Sequence, residues 1–221
     1  RIGEVAGGAD LVTTASPVIA QMIRKRFPDI RIRASVNMRI GTPAGVSYVT
    51  DLFDSVCVEK EINRDMESIR FLKAWCDARG KEMIFLANSG CLAFCPGQTF
   101  HDTMIAHDRE IDQVKNVPGL SPHVCWNYLA DPTRWVSFLR GTWVRPEDLD
   151  RYEPFFGIAK LATRMHRLPR LVIDSYAHRS YAGNLPDLFE PGHGPAFAQY
   201  IIDNTRFPAD WHDRVTTCGR R

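Results

Sequence analysis

The sequence has no apolar run near the ~20 residues that cross a bilayer, and Arg1 to Leu11 carry no apolar signal-peptide core. Neither a membrane span nor a secretory leader is expected. Net charge is also scarce: 28 Lys plus Arg against 26 Asp plus Glu leave +2. No strong basic field therefore announces a nucleic-acid partner, although a local basic patch can bind RNA without one. There is no G-x-S-x-G elbow, no H-E-x-x-H and no Gly-rich phosphate loop, which removes the common signatures of serine hydrolases, zinc proteases and nucleotide enzymes. Internal repeats and low-complexity segments are missing too. The chain lacks an initiator Met and stops at Thr217-Cys218-Gly219-Arg220-Arg221, so both ends are expected to be cuts from a longer protein. Its 221 residues fall short of the roughly 250 of a complete eight-stranded β/α barrel.

What the sequence does hold is six cysteines. Without a secretory signal they point to a reducing, cytoplasmic setting, where spaced thiols bind metals or do chemistry rather than form disulfides. The hydrophobic fraction of 44% and charged fraction of 24% suit a folded soluble domain.

The first two-thirds alternates short β-rich runs with amphipathic helices. Asp10 to Thr14 reads as a strand, then Ser16-Pro17 as N-cap and N1 of a helix reaching about Phe27. Ile30 to Asn37 has strict period-2 alternation. Apolar Ile30, Ile32, Ala34 and Val36 would face outer helices, and polar Arg31, Arg33, Ser35 and Asn37 a barrel interior. Thr42 to Phe53 is expected to be a short helix and Asp54 to Glu59 a third strand. Met66, Ile69, Leu72 and Cys76 form one helical stripe ending at Gly80, which makes Cys76 a small core residue. Glu82 to Asn88 is a fourth strand, and strand–helix repetition of this kind implies a parallel sheet.

From Ser89 to Arg140 the pattern breaks. This stretch reads as a Cys-rich insertion at the C-terminal end of a strand, where barrel enzymes place their sites. Regularity returns at Thr142-Trp143-Val144, with a helix from Pro146 to about Tyr152, a strand over 157–161 and a helix from Pro169 to about Ala177. The fold class is therefore α/β: a TIM-like (β/α) barrel, incomplete at its N-terminus. It would span residues 1–183, including the insertion at 89–140, and be followed by an irregular extension over 184–221.

The strongest local feature is Cys91-Leu92-Ala93-Phe94-Cys95 directly after the fourth strand. Two thiolates on one short turn can share a metal; Gly90 lets backbone approach closely and Pro96 fixes the exit. Thiolates are soft donors suited to zinc and iron–sulfur clusters. A radical-type cluster loop fails because position 98 is Gln98. Two metal readings stay open: structural zinc held by Cys91, Cys95, Cys125 and either His101 or His107, and a cluster held by the same cysteines with a distant fourth. Ordinary buried thiols are the bland alternative. The i, i+6 spacing of His101 and His107 does not put both on one face of a helix, and His123 stands just before Cys125, able to hydrogen-bond a cluster sulfur. Cys91 or Cys95 paired with His101 would be a protease nucleophile, but a second thiol so near favours metal capture or oxidation.

Several runs together resemble peptidase family U thirty-two, the collagenase-like family. They are Ala34-Ser35-Val36-Asn37-Met38, Glu61-Ile62-Asn63-Arg64-Asp65, Asn88-Ser89-Gly90-Cys91 with Cys95 and His101-Asp102, Trp143 to Leu149, and Lys160-Leu161-Ala162-Thr163-Arg164. The resemblance covers nearly the whole chain. It implies a β/α barrel missing its first strands and a name derived from protease activity. Better-understood members are similar in binding a 4Fe–4S cluster through four cysteines for oxygen-independent hydroxylation of a ubiquinone precursor or of RNA bases. Carried over by motif, Cys91, Cys95 and Cys125 match cluster ligands. The family's fourth cysteine follows the Lys-x-x-x-Arg strand, where His166 to Ile173 hold none, so Cys218 stands as the remaining candidate. An RNA base or aromatic small molecule would then be held by Arg33, Asn37, Glu59, Asn63, Asn88, His101, Lys160 and Arg164. Arg33 with Glu59 could equally be an internal ion pair. The competing functions are a collagenase-like peptidase and a zinc-stapled, non-catalytic RNA-binding or scaffold protein; a protein partner or oligomer is compatible with any of them.

Overall fold

The structure, a computed structural model, describes residues 10–106, 123–197 and 200–217. Five strands make one all-parallel sheet in sequence order: β1 (Leu11–Thr14), β2 (Arg31–Ala34), β3 (Ser55–Cys57), β4 (Glu82–Leu86) and β5 (Ile158–Lys160). Each strand lies beside its sequence neighbour, as in a barrel wound one βα unit at a time. The result is a half-barrel flanked by helices, compatible with an incomplete TIM-like barrel. Burial on both faces marks its interior strands: Ser55, Val56 and Cys57 are each at most 1% exposed, as expected of parallel strands covered on either side.

The first connections carry α1 (Pro17–Arg26), α2 (Pro43–Ser47) and α3 (Met66–Asp77). Helix α1 starts as its sequence predicts, with Ser16 Oγ accepting from the Ile19 N–H and Pro17 in the first turn. Helix α3 starts where Asp65 accepts from the Ser68 N–H, and its stripe of Ile69, Leu72 and Cys76 is fully buried. The chain leaves it through Gly80 at φ +62°, a left-handed turn that lets the Lys81 N–H return to the Cys76 carbonyl.

Three elements are markedly shorter than expected, among them β3, which covers only Ser55–Cys57 of the expected Asp54 to Glu59. The predicted helix over Thr42 to Phe53 is only Pro43–Ser47. Ser47 Oγ donates back to the Ala44 carbonyl at 2.7 Å, a bond that competes with the helix, and Tyr48, Val49 and Thr50 are poor helix formers. Strand β2 stops at Ala34 because Ser35 accepts from the Asn37 N–H and starts a 3-10 turn over Val36–Met38.

The long connection from β4 to β5 holds α4 (Gln98–Ala106), α5 (Val124–Leu129), α6 (Val136–Leu139) and a 3-10 turn at Pro146–Arg151. Trp143 and Val144 run beside the exit of β4 without joining the sheet; the Val144 N–H donates to the Ala87 carbonyl at 2.8 Å and Thr142 N–H to Cys91 at 3.1 Å. Beneath them Phe85 stacks on Tyr152 with ring centroids 4.9 Å apart, and Trp143 on Phe189 at 5.3 Å. After β5 come α7 (Pro169–Ala177), α8 (Gly194–Phe197) and α9 (Trp211–Thr217). The stretch from 184 onward is thus not irregular throughout. Its Leu185, Leu188, Phe189 and Phe197 belong to the same buried cluster as the strands, so apolar burial, not periodicity, fixes its path.

Candidate metal centre

Parallel strands deliver their loops to one edge, and the candidate residues gather where β3 and β4 end. The chain leaves β3 through Glu59 into a 3-10 turn at Lys60–Arg64. It leaves β4 through Asn88, Ser89 and Gly90 to Cys91. A narrow cleft there is lined by Cys91, Cys95, Gln98, His101, His123 and Cys125, with Leu92, Gly97, Val124 and Pro191 between them. Its open space is about 10 Å³, room for about one water molecule. All five described cysteines are free thiols.

Two glycines allow the walls to meet. A methyl group on Gly90 would lie 2.2 Å from the Pro191 carbonyl oxygen, and one on Gly97 would lie 2.7 Å from Val124 Cγ2. The first brings residues 189–193 against Cys91; the second seats the Cys95 turn against α5, which carries Cys125. Between the two cysteines of the turn, Phe94 is 71% exposed and takes a left-handed φ of +54°, a conformation uncommon outside glycine.

A buried lysine completes the cleft. Lys60 is 5% exposed, and its ammonium donates to Cys91 Sγ at 2.9 Å. With its amide in the orientation that its neighbours dictate, Gln98 accepts from Lys60 Nζ at 2.8 Å and donates to Glu61 Oε1 at 3.1 Å. Across from it, the His101 and His123 rings meet edge-on at 4.3 Å, and His123 stacks on Trp126 at 3.8 Å. Trp126 is anchored by donating to the Gly192 carbonyl, and His193 Nε2 donates to the Gly90 carbonyl. Burial pushes His101 and His193 below the usual imidazole range and His123 down to about 4, with His101 and His193 adding to the effect at His123. All three are therefore neutral near pH 7, the form that ligates metals. Burial, reinforced by the neighbouring Cys91 and Cys95 sulfurs, pushes the Cys125 thiol up to about 11. A metal cation would reverse it by displacing the proton.

Among the described residues, no three His, Cys, Asp or Glu side chains surround one point as ligands of a single ion. The donor chemistry nevertheless fits a thiophilic centre, with three soft sulfurs and neutral imidazoles beside them. Tetrahedral zinc needs its sulfurs about 2.3 Å from one point, whereas a cluster spreads its cysteines over several irons.

The remaining candidates fall into three settings. Arg33 on β2 and Lys160 on β5 each lower the buried Cys57 thiol, which burial pushes up more strongly. Arg33 donates to Ser55 Oγ at 3.1 Å and lies 4.0 Å from Glu82. Its acidic neighbour is therefore Glu82 and not the expected Glu59, whose carboxylate packs against Gly41 instead. Burial raises Glu59, Glu61 raises it further and Arg39 opposes both. Asn63 and Asn88 are wholly buried: Asn63 donates to the Leu86 and Thr142 carbonyls, and Asn88 joins Ala162 and Leu188. Both pin loops to the strand ends. Asn37 and Arg164 are exposed. His107 and Cys218 lie outside the described residues. Lys60, Gln98 and His193 carried no sequence signal, since none belongs to a motif or a periodic face.

No family model matches the chain, and no solved structure matches it. A curated protein that does match is an uncharacterized protease of Methanocaldococcus jannaschii, 25% identical over 141 residues. The match covers 62% of this chain and 40% of that protein. The chain is similar to a protease-named relative. That likeness supports a peptidase-like relationship, and the chain spans less than half of that relative's length.

Proposed function

We propose that this chain is an iron–sulfur protein on a peptidase-like half-barrel. Cys91, Cys95 and Cys125 would hold a 4Fe–4S cluster serving oxygen-independent hydroxylation of an RNA base or an aromatic quinone precursor. The reading is supported above all by one observation: three thiols, two on a turn and one from α5, line a single cleft at the C-terminal edge of a parallel sheet. The resemblance in the sequence motifs supplies the reaction class. A bound cluster would supply electrons or bind the oxygen donor that such a hydroxylation requires. The chain's own residues do the rest. The Lys60 ammonium offsets the negative charge of the thiolates, and Glu61 with Gln98 holds it in place. His123, stacked on Trp126, closes one wall against water. Arg33 and Lys160 present cations to an anionic or carbonyl oxygen of a substrate in the barrel interior.

Anaerobic purification of the full-length protein is expected to give brown material containing iron and sulfide. Colourless protein without iron after anaerobic reconstitution overturns the proposal. Zinc in place of iron, with unfolding on chelation, favours a zinc-stapled scaffold. A second reading, a peptidase, draws on the relative's name and on the neutral His101 beside the cysteines. In that case metal-free, reduced protein cleaves peptides and Cys91→Ala abolishes turnover; absence of cleavage under those conditions counts against it.

A further inference from the structure

We infer that, with no metal bound, the narrow cleft is a peroxide-reactive dithiol site: Cys91 attacks hydrogen peroxide and Cys95 closes the disulfide. The inference needs only free thiols and stands apart from the cluster reading. Cys91, Cys95 and Cys125 are all free; the first two are half-buried and Cys125 is buried. Lys60 singles out Cys91. That lysine is 5% exposed, and its ammonium donates to Cys91 Sγ at 2.9 Å. Gln98 accepts from the same ammonium and donates to Glu61, which holds it in place. Sulfur attacks as an anion, and a neighbouring ammonium steadies the negative charge as the new bond forms. The backbone holds the sulfur's position, with the Thr142 N–H donating to the Cys91 carbonyl at 3.1 Å.

His101 points to what the cleft receives. It lines the cleft, is 8% exposed, and its Nε2 is buried without a hydrogen-bond partner among the described residues. A buried ring nitrogen in that state is costly until a ligand partners it. The open space there, about 10 Å³, takes about one water molecule. Hydrogen peroxide exceeds water by one oxygen atom and offers an imidazole both a donor and an acceptor. An alkyl hydroperoxide carries a carbon body that so small a space does not admit. The chemistry balances in two steps. The Cys91 sulfur attacks one peroxide oxygen, the O–O bond breaks, and the departing hydroxide leaves as water with the thiol proton. Cys91 is then a sulfenic acid. The Cys95 sulfur attacks it, the S–O bond breaks, and the hydroxyl leaves as water with the second thiol proton. Two thiols lose two electrons, and the peroxide gains them. Cys91 and Cys95 are the ends of one turn, reversed at Phe94 with φ +54°, and both line the cleft.

The test treats the reduced, metal-free full chain with hydrogen peroxide or tert-butyl hydroperoxide, each rate measured against free cysteine. Mass spectrometry maps the cysteines, with dimedone as the trap for sulfenic acid. Wild type should form an internal Cys91–Cys95 disulfide and react about tenfold faster with hydrogen peroxide than with the alkyl hydroperoxide. Cys95→Ser should carry dimedone on Cys91. Lys60→Met should slow Cys91 oxidation about tenfold, and Lys60→Arg should recover part of the rate. Dimedone on Cys125 alone, a disulfide joining Cys91 to Cys125, or a Cys91 rate no greater than that of free cysteine overturns the inference. So does a folded Lys60→Met protein that reacts at the wild-type rate. If that variant does not fold, the wild-type preference between the two peroxides decides, and equal rates overturn the inference.

Discussion

Two clefts among the described residues are opposites. The wide one, about 630 Å³, is lined by charged and apolar side chains including Asp65, Glu67, Arg70, Arg151, Phe155 and Asp213. Much of its charge is internally matched: Arg151 donates to Asp213 at 3.1 Å, and Asp65 caps α3. The narrow cleft is far smaller, yet it collects thiols, imidazoles and a buried ammonium. Size measures how much could enter; the chemistry of the lining measures what could be held, and by that criterion the small cleft is the stronger candidate site.

The contrast is sharpest in metal uptake. Cys91→Ser should abolish iron incorporation on anaerobic reconstitution, while Glu67→Gln and Arg70→Gln in the wide cleft leave iron per chain unchanged. Equal loss from both sets would dissolve the distinction. Packing comes next. Gly90→Ala forces a methyl group against the Pro191 carbonyl and should cost about 1–3 kcal/mol, read from the urea midpoint. Gly157→Ala, where an added methyl meets nothing within 4 Å, should stay within about 0.5 kcal/mol.

Titration offers a third comparison. Burial holds His123 at about 4 against its ordinary 6.5, with His101 and His193 lowered as well, so the fold favours the neutral rings. Their contribution to stability is complete above about pH 6.5 and is lost as pH falls toward 4. Cys125, raised from 9.0 to about 11, favours the protonated thiol. Its contribution is complete below pH 9 and lost as pH rises toward 11. Denaturation midpoints of the metal-free protein should therefore form a plateau between these limbs. His123→Gln should flatten the acid limb and Cys125→Ala the alkaline one; unchanged limbs would show that burial in the narrow cleft is not what shifts these groups. The smallest effect belongs to the wide cleft. Arg151 and Asp213 are more than half exposed, so Asp213→Asn should change stability by no more than about 0.5 kcal/mol, measured by the same urea titration.

Local signals foretold much of the scaffold. Pro169 at a helix start and Ser16-Pro17 before α1 are punctuation that tertiary packing had no reason to override. The stripe of Ile69, Leu72 and Cys76 is buried as its spacing demands. The helix expected over Thr42 to Phe53 is cut short where Ser47 bonds back onto the turn. The tail from 184 read as irregular because Pro and Gly hide an apolar set, Leu185, Leu188 and Phe189, that follows no regular period. At the site, the C-x3-C pair announced itself by spacing. Gly90 proved to be a close-approach residue, although what approaches is the Pro191 segment. Lys60 and His193 were illegible, because each gains its neighbours only when segments distant in sequence fold together. An Arg33–Glu59 ion pair was one of two readings of these polar positions; the register instead places Glu82 near Arg33.

The bond between His193 and the Gly90 carbonyl joins residues 103 positions apart. During synthesis, Cys91 and Cys95 leave the ribosome long before the strap at 189–193 that walls them in. A nascent chain therefore displays its thiols unenclosed until nearly all the described sequence has emerged. Enclosure of the cleft must await the 189–193 strap, and a chain interrupted before residue 189 would lack this wall.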